Sequence, residues 1–274
     1  MGLASAPHAA VVALLCAAAA NAQTDSSRSV PWVTKRDVTA VGVAIAATLA
    51  IAPFDHAISR ELGDPESLRN RGLNRAADNI AFLGGSGPFL VSGLVYAAGS
   101  ESHMQGLAHA ALHNMEAIAL ASSITGLAKG LTGRALPNVE ARHQFSFGRG
   151  FHEGNGPFVS FPSGHTAAAF AMAATIAGEV DHVDPRIGRI AGPIAYSAAA
   201  AVGVARVIQR VHWPSDLPLA VVIGTWSGRA VEKHAYRKGR AAAALRGLSV
   251  VPAAGGRTTI AWSSLASRYE PSVP

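Results

Sequence analysis

The chain has 274 residues, of which 49% are hydrophobic and 15% are charged, whereas roughly 25% of the residues in soluble domains are charged. This balance predicts either a membrane protein or a very apolar helical core. The net charge of +6 favours an anionic substrate or an anionic lipid surface. Nucleic acid is not indicated as a partner, because the sequence has no cluster of Lys and Arg with interleaved aromatic residues.

Residues 1–22 have the pattern of a secretory signal peptide. An apolar run at 9–20 ends in Ala20-Asn21-Ala22, which matches an A-x-A cleavage site. No Lys or Arg precedes the run, so a short uncleaved anchor is the alternative. The only cysteine, Cys16, lies in this segment. Cleavage would leave a mature chain with neither a disulfide nor a thiolate metal site.

Six apolar segments follow a polar stretch, 23–37, that is predicted to be a linker. The segments are 38–54, 80–99, 106–128, 166–178, 190–205 and 217–228. Most are shorter than the roughly 20 residues that cross a bilayer, and many of their residues are alanine, a good helix former that is only weakly apolar. Each is predicted to be a thin transmembrane helix or a buried helix. The predicted fold is therefore all-α, a bundle of about six apolar helices within 38–240.

Polar residues separate these segments at three places. A stretch at 55–79 contains several arginines, a long loop occupies 137–162, and a short loop occupies 206–216. Polar loops inside a compact chain are usually functional, and the last two, together with the adjoining helix ends, hold the residues with catalytic potential. The tail, 241–274, has a different sequence pattern. Two short apolar stretches flank a Gly-Gly pair, which predicts a small β-hairpin.

Two short motifs contain the chemistry. Pro-Ser-Gly-His at 162–165 places a hydroxyl, a flexible backbone N–H and an imidazole side by side. Further on, Arg206, His212 and Asp216 line up a cation, a second imidazole and a carboxylate that can orient it. Covalent phosphoryl transfer through histidine requires such a set: two histidines, one of them next to a carboxylate, and donors that can bind phosphate. Lys129 upstream makes the combination more specific.

These motifs resemble those of the type 2 phosphatidic acid phosphatases, which share a helical core with bacterial class A acid phosphatases and vanadium haloperoxidases. The family pattern is K-x6-R-P, then P-S-G-H, then S-R-x5-H-x3-D. The second block is complete here, and the third has Ala205 in place of its leading Ser. The first keeps Lys129 and Pro137 but has Leu136 at the position of its Arg. The resemblance covers about 38–238, and the blocks follow the family order.

The resemblance implies catalytic roles that the chemistry of the residues supports. His212 is predicted to be the nucleophile, whose neutral ring nitrogen attacks phosphorus, and Asp216 to hold the other ring N–H. His165 is predicted to be the general acid that protonates the leaving oxygen, because an imidazole titrates near neutral pH. Nothing in this scheme needs a metal or another cofactor.

A second group of residues is predicted to bind the phosphate oxygens. Lys129, Arg206 and Arg134 would offset their charge, and Arg134 would replace the missing motif arginine. The alternative for Arg134 is a charge that reaches the surface along its aliphatic stem. Ser163 and the backbone N–H of Gly164 would donate to the same oxygens from the start of a helix, although Ser163 alone could equally be a helix cap.

A third group of polar residues has helical metal-ligand spacing, namely His109, His113 and Glu116. No fourth ligand lies nearby in the sequence, and the group matches nothing in the family pattern. These residues are therefore predicted to pack between helices.

The predicted function is hydrolysis of a lipid phosphate or lipid pyrophosphate through a phosphohistidine intermediate. One alternative is a soluble periplasmic acid phosphatase that acts on small esters. Another, motivated by Leu136, is a non-catalytic protein that binds lipid or phosphate.

The predicted location is the bacterial cell envelope, in the inner membrane or the periplasm, with the active site facing the periplasm. Six spans with both active loops outside would put residues 34–37 inside, which conflicts with a cleaved signal peptide. Three resolutions stay open: an uncleaved signal, fewer than six true spans, or a periplasmic bundle that rests on the membrane.

Overall fold

The structure is a computed structural model that describes residues 31–63, 70–139, 144–148, 156–237, 248–253 and 257–262. The predicted signal peptide lies outside these residues. The chain forms two units, one at 32–232 and the other made of 1–31 and 233–274.

The larger unit is helical, as the sequence predicts. Its α-helices are α1 (Lys35–Ile51), α2 (Asp55–Leu62), α3 (Arg71–Phe82), α4 (Gly87–Glu101), α5 (Gln105–Thr132), α6 (Gly164–Val183), α7 (Pro185–Ile208) and α8 (Leu217–Arg237). Short 3₁₀ turns at Ala52–Phe54 and Pro214–Asp216 precede α2 and α8. All six predicted apolar segments lie largely within helices, and α8 continues beyond the end predicted for it.

The first helix begins inside the predicted linker. Thr34 caps α1: its backbone N–H donates to the Asp37 carboxylate at 2.7 Å, and its hydroxyl accepts from the Asp37 N–H at 3.3 Å. Such a reciprocal capping box satisfies two N–H groups that lack partners within the helix. The polar residues at 35–37 are therefore the first turn of the helix, which corrects the boundary predicted at Val38.

Two helices lie within the polar stretch 55–79. In the part of this stretch that the structure describes, α2 follows α1 after the Pro53 turn, and α3 begins after Asn70. The Asn70 side chain accepts from two backbone N–H groups of the first turn of α3, each at 3.0 Å. The apolar pattern of the sequence does not reveal α2 and α3, because both helices are rich in charged and polar residues. The glycine-rich break that the sequence shows at 84–88 is the turn between α3 and α4.

Helix α6 is the centre of the larger unit. One buried cluster joins α6 to α5 and α8 through small side chains such as Ala121, Ala171 and Ala220, each fully buried. A second cluster joins α6 to α7 through Ala169 and Val202, also fully buried. Small residues let helix backbones approach closely, so the alanine bias of the sequence produces tight packing around α6.

The tail contains two strands, β1 (Leu248–Ala253) and β2 (Arg257–Trp262). They pair antiparallel, with Leu248 opposite Trp262 and Ala253 opposite Arg257. This pairing agrees with the hairpin that the sequence predicts.

Two helical stretches of the described chain are long and apolar enough to cross a membrane. They are Lys35–Leu62 and Pro185–Ile208. The pair α3 and α4, bent by 50°, would make a third if it counts as one span. By length and composition, two or three segments of the described chain therefore qualify, compared with the six apolar segments of the sequence.

The close approach of α8 to α6 leads to a stability prediction. A Cβ at Gly224 would lie 2.2 Å from the carbonyl oxygen of Ala167 and 2.8 Å from Cβ of Phe170. We expect Gly224→Ala to lower the free energy of unfolding by about 1–3 kcal/mol, because the added methyl overpacks this contact. Thermal unfolding in detergent measures the change.

Gly126 on α5 provides the control, since a Cβ there meets nothing within 4 Å. Gly126→Ala should be neutral or stabilise by up to about 1 kcal/mol, because alanine is the better helix former. Equal unfolding temperatures for the two variants would contradict the proposed packing.

Candidate active site

The motif residues lie close together in the structure, at the end of α5, the start of α6 and the turn that follows α7. The Thr132 hydroxyl donates to the carbonyl of Phe161 at 3.0 Å, and Lys129 Nζ donates to the carbonyl of Val159. The backbone N–H of Ser163 donates to the carbonyl of Asp216 at 3.2 Å. These bonds tie together three parts of the chain that are distant in sequence.

His212 and Asp216 form the predicted pair. Nδ1 of His212 lies 3.4 Å from Oδ2 of Asp216, and both side chains are buried. This separation is longer than a normal N–H···O hydrogen bond, so in this geometry the carboxylate acts on the ring mainly through its charge. Burial lowers the pKa of His212, and the carboxylate opposes that effect. A lowered pKa keeps the ring neutral near pH 7, which a nucleophile requires.

Several donors hold Asp216 in place. Its Oδ2 accepts from the Ser160 hydroxyl at 2.6 Å and from the backbone N–H of Trp213 at 2.8 Å. Its Oδ1 accepts from Arg134 at 2.6 Å. Burial alone would raise the pKa of Asp216, but the contact with His212 and the charge of Arg134 outweigh it, so the pKa lies below its usual value. The carboxylate is therefore ionised and fixed.

His165 is the second residue of α6 and lies beside the turn between α3 and α4. A Cβ at Gly84 would lie 2.5 Å from the carbonyl oxygen of His165, and one at Gly85 would lie 3.5 Å from its Nε2. Burial lowers the pKa of His165 to about 4, and the charges of Arg206, His212 and Lys129 add to the effect. The positive charges of Lys129 and Arg206 therefore act on both imidazole rings, that of His165 and that of His212.

Lys129 lies against the N-terminus of α6. A Cβ at Gly164 would lie 3.6 Å from Cε of Lys129. The first backbone N–H groups of α6 have no partners within the helix, so they can receive an anion together with the ammonium group. Burial lowers the pKa of Lys129 to about 8, although Asp216 partly offsets this.

Arg206 is the second cation, and two residues position it. Its Nη1 donates to Oε1 of Gln209 at 2.8 Å, and Nε2 of Gln209 donates to Asp78 of α3 at 2.7 Å. Its Nε has no hydrogen-bond partner in the described part of the chain. Arg206 therefore keeps donor capacity for an anion.

Ser163 acts as a helix cap in this structure. Its hydroxyl oxygen accepts from the Thr166 hydroxyl at 2.8 Å and from the Thr166 N–H at 3.4 Å. The phosphate contact predicted for the Ser163 side chain therefore competes with capping, whereas the N–H of Gly164 lies in the first turn of α6, as expected.

Arg134 does not lie where the sequence predicts. It is 2% exposed, and it donates to Asp216 and Asp55 at 2.6 Å each, to Ser215 at 2.8 Å and to the carbonyl of Gln144. A guanidinium with all three nitrogens so engaged cannot also serve a phosphate without breaking these bonds. The geometry thus makes Arg134 a partner of the Asp216 carboxylate, in contrast to the phosphate contact expected from its place near Leu136.

Sequence reasoning missed four residues of the site: Asp55, Ser160, Ser215 and Gln209. The position of Asp55, a lone carboxylate directly after an uncharged apolar run, was the available signal. The other three lie beside motif residues but belong to no pattern.

Four further charged or titratable residues of the long loop, Arg142, His143, Arg149 and His152, lie outside the described residues. His113 on α5 contacts Glu179 on α6, with 2.5 Å between Nδ1 and Oε1, which suits the packing role predicted for it. Among the described residues, no group of three or more His, Cys, Asp or Glu side chains has the geometry of a metal site.

Known proteins resemble this chain in sequence and in fold. The model of the PAP2 superfamily matches residues 110–239. A lipid A 1-phosphatase from Porphyromonas gingivalis is 35% identical over 85 residues, which are 31% of this chain and 18% of that protein's length. The crystal structure of a transmembrane PAP2-type phosphatidylglycerolphosphate phosphatase from Bacillus subtilis has the same fold. The TM-score between the two structures is 0.57 and the sequence identity is 21%, and the match covers 75% of this chain and 98% of the Bacillus subtilis chain.

The pKa of Lys129 leads to a prediction for anion binding. Because that pKa is about 8, the ammonium charge is lost as the pH rises through this value, and vanadate affinity should fall there. We expect Lys129→Arg to bind vanadate with a much weaker dependence on pH between about 7 and 9.5, since an arginine stays protonated. Isothermal titration across this range measures the difference. The control is Lys35→Arg, an exposed position on α1, and identical pH dependence in all three proteins would contradict the role of Lys129.

Proposed function

Because residues 110–239 match the model of the PAP2 superfamily, we propose that the protein is a membrane-associated phosphatase that hydrolyses a lipid phosphate or pyrophosphate through a phosphohistidine intermediate. The observation that carries the proposal is the meeting of the neutral, carboxylate-backed His212 with His165, Lys129 and Arg206. The relatives named above act on lipid phosphates, which supports that class of substrate.

The reaction follows from the roles of the side chains. The free ring nitrogen of His212 attacks phosphorus, the bond to the leaving oxygen breaks, and His165 supplies the proton that this oxygen needs. Water then attacks the phosphohistidine, gives its proton to the neutral His165, and releases inorganic phosphate. Lys129, Arg206 and the N–H groups at the start of α6 stabilise the charge on the transferring group.

The low pKa of His165 has a consequence for this scheme. Near pH 7 the ring is unprotonated in the free protein, so it must receive its proton with the substrate. A phosphate monoester has a second pKa near 6, so its monoanion can deliver that proton. The negative charge of the bound ester also favours the imidazolium form.

The site itself supports a metal-independent reaction. Positive charge at the phosphate comes from an ammonium and a guanidinium, and the Asp216 carboxylate is already saturated by protein donors. We further propose that the site faces the periplasm and that the apolar helices lie in the inner membrane, as expected for an enzyme that meets lipid headgroups.

His212 and Asp216 give the first test. We expect His212→Ala to abolish phosphate release and Asp216→Asn to keep a small residue of activity, because the asparagine preserves the packing around the ring but lacks the charge. Phosphate release from a phosphatidic acid micelle measures both. His182→Ala, at the other end of α6, is the matched control and should retain activity. Near-wild-type turnover by His212→Ala would refute the mechanism.

Metal independence has its own test on the wild-type protein. If EDTA abolishes turnover and a divalent cation restores it, the reaction depends on a metal.

The role of His165 predicts a dependence on the leaving group. We expect His165→Asn to lower kcat/KM, which reports only the steps up to departure of the leaving group, by about 10²–10⁴ for alkyl or lipid phosphates, because these leave as basic alkoxides. An aryl phosphate with an acidic phenol should lose much less, since its oxygen needs no proton. Steady-state kinetics on both substrate types give the comparison. Equal losses would show that His165 is not the general acid.

Chain length distinguishes a lipid phosphatase from a soluble acid phosphatase. The expected result is that kcat/KM rises along a series of esters from a short chain to a long acyl or prenyl chain, because remote apolar contacts supply binding energy used at phosphorus. A flat series, with small sugar phosphates turned over equally well, would favour the soluble acid phosphatase instead.

A further inference from the structure

Asp55 connects the N-terminal helices to the candidate site. It is the first residue of α2 and is fully buried. Its Oδ1 accepts from the backbone N–H of Ser215 at 2.8 Å. Its Oδ2 accepts from the Ser215 hydroxyl at 2.5 Å and from Nη2 of Arg134 at 2.6 Å. All three contacts are donations to the carboxylate, as expected for the ionised form.

Arg134 links this carboxylate to Asp216. Its two terminal nitrogens each bind one carboxylate at 2.6 Å, Nη2 that of Asp55 and Nη1 that of Asp216. Because the guanidinium holds Oδ1 of Asp216, the other oxygen is directed to His212 and Ser160. Rotation of the Asp216 carboxylate would break the bonds to Arg134 and Ser160 together.

The charges of this cluster complement the proposed reaction. With His212 neutral, two carboxylates and one guanidinium sum to −1. A His212 ring that becomes cationic on phosphorylation brings the sum to zero. Without the Asp55 charge, the sums would be zero at rest and +1 during the reaction, so the cationic ring would have one negative charge fewer beside it to stabilise it.

We propose that Asp55 is a positioning residue for phosphoryl transfer: it pairs with Arg134, so that the guanidinium can fix Asp216 while the cluster keeps the negative charge that a cationic His212 ring needs. This inference rests on the proposed function. Asp55 lies outside residues 110–239, which match the family model, so the N-terminal helices contribute to the catalytic unit itself as well as to a membrane anchor.

Charge variants of the pair provide the test. With His212 neutral, Asp55→Asn gives the cluster a charge of zero, Arg134→Gln gives −2, and the double variant returns it to −1. We expect Asp55→Asn to lower kcat about 10- to 100-fold with little change in KM, because His212 and Asp216 lose their alignment and charge balance. The double variant should be more active than Arg134→Gln, which leaves two buried carboxylates without their cation.

The pKa of the His212 ring is the second readout. A purely structural role for Asp55 would not shift this pKa in the order that the cluster charges predict. The pKa is measured by NMR titration of the ring nitrogens in detergent, with His212→Gln used to assign the signal. The pKa should fall in Asp55→Asn, rise in Arg134→Gln, and return towards the wild-type value in the double variant. The other charged or titratable groups that act on the ring, namely Asp216, Lys129, Arg206 and His165, are the same in all four proteins.

The control is Asp184→Asn, which removes a carboxylate from the N-cap of α7, at the far end of α6 from the site. Asparagine caps helices as well as aspartate, so this variant should match the wild type in kcat and in the pKa of His212. Unchanged kcat and an unchanged His212 pKa in folded Asp55→Asn would overturn the proposal. If Asp55→Asn does not fold, a His212 pKa in Arg134→Gln that equals the wild-type value would overturn it as well.

The two readouts separate this proposal from the proposed function. An inactive wild type whose His212 pKa still follows the predicted order would contradict the phosphatase and retain Asp55 as the charge partner of the cluster. If the wild type is active and Asp55→Asn has the same kcat and the same His212 pKa, the phosphatase is supported and the role of Asp55 is contradicted.

Discussion

Arg134 is buried, and a buried guanidinium is stable only where anions and carbonyl groups surround it. Its partners come from three other parts of the chain: Asp55 on α2, Gln144 in the long loop, and Ser215 with Asp216 in the turn before α8. Two aromatic rings lie 5.3 and 5.6 Å from its central carbon. Pairing this one cation therefore fixes three segments relative to one another, and the position of Asp216, on which His212 depends, follows from that requirement.

The second constraint is the close packing of α6. Alanine and glycine at its contacts let α5, α7 and α8 approach its backbone, so the N-terminus of α6 is held from several sides. His165 and the first N–H groups of α6 are thereby presented from a rigid element rather than from a loop. The groups that we propose to bind the anion are thus in place before a substrate arrives, which is the preorganisation that the proposed phosphoryl transfer requires.

The sequence predicted the parts of the structure that depend on local pattern. The apolar segments of the sequence located six helices, and the motif residues at 162–165, His212 and Asp216 lie close together in the structure. It did not predict α2 and α3, whose polar faces hide their helical character, or the true position of Arg134. That position depends on Asp55, which is 79 residues away in sequence, and no local pattern reports which carboxylate a buried cation will find. The same limit applies to Ser163, whose use as a cap is decided by where the helix begins.

In the proposed reaction, phosphate passes through a covalent bond to His212. Rapid mixing with a lipid phosphate, quenching in alkaline denaturant to preserve a phosphoramidate, and peptide mass spectrometry test it directly. We expect phosphate on His212 within the first turnover and none on this position in His212→Ala. Phosphate should accumulate on His212 when hydrolysis of the intermediate is slowed in His165→Asn, with an aryl phosphate as the donor. Steady turnover with no phosphorylated histidine at any time, or with phosphate on a different residue, would contradict it.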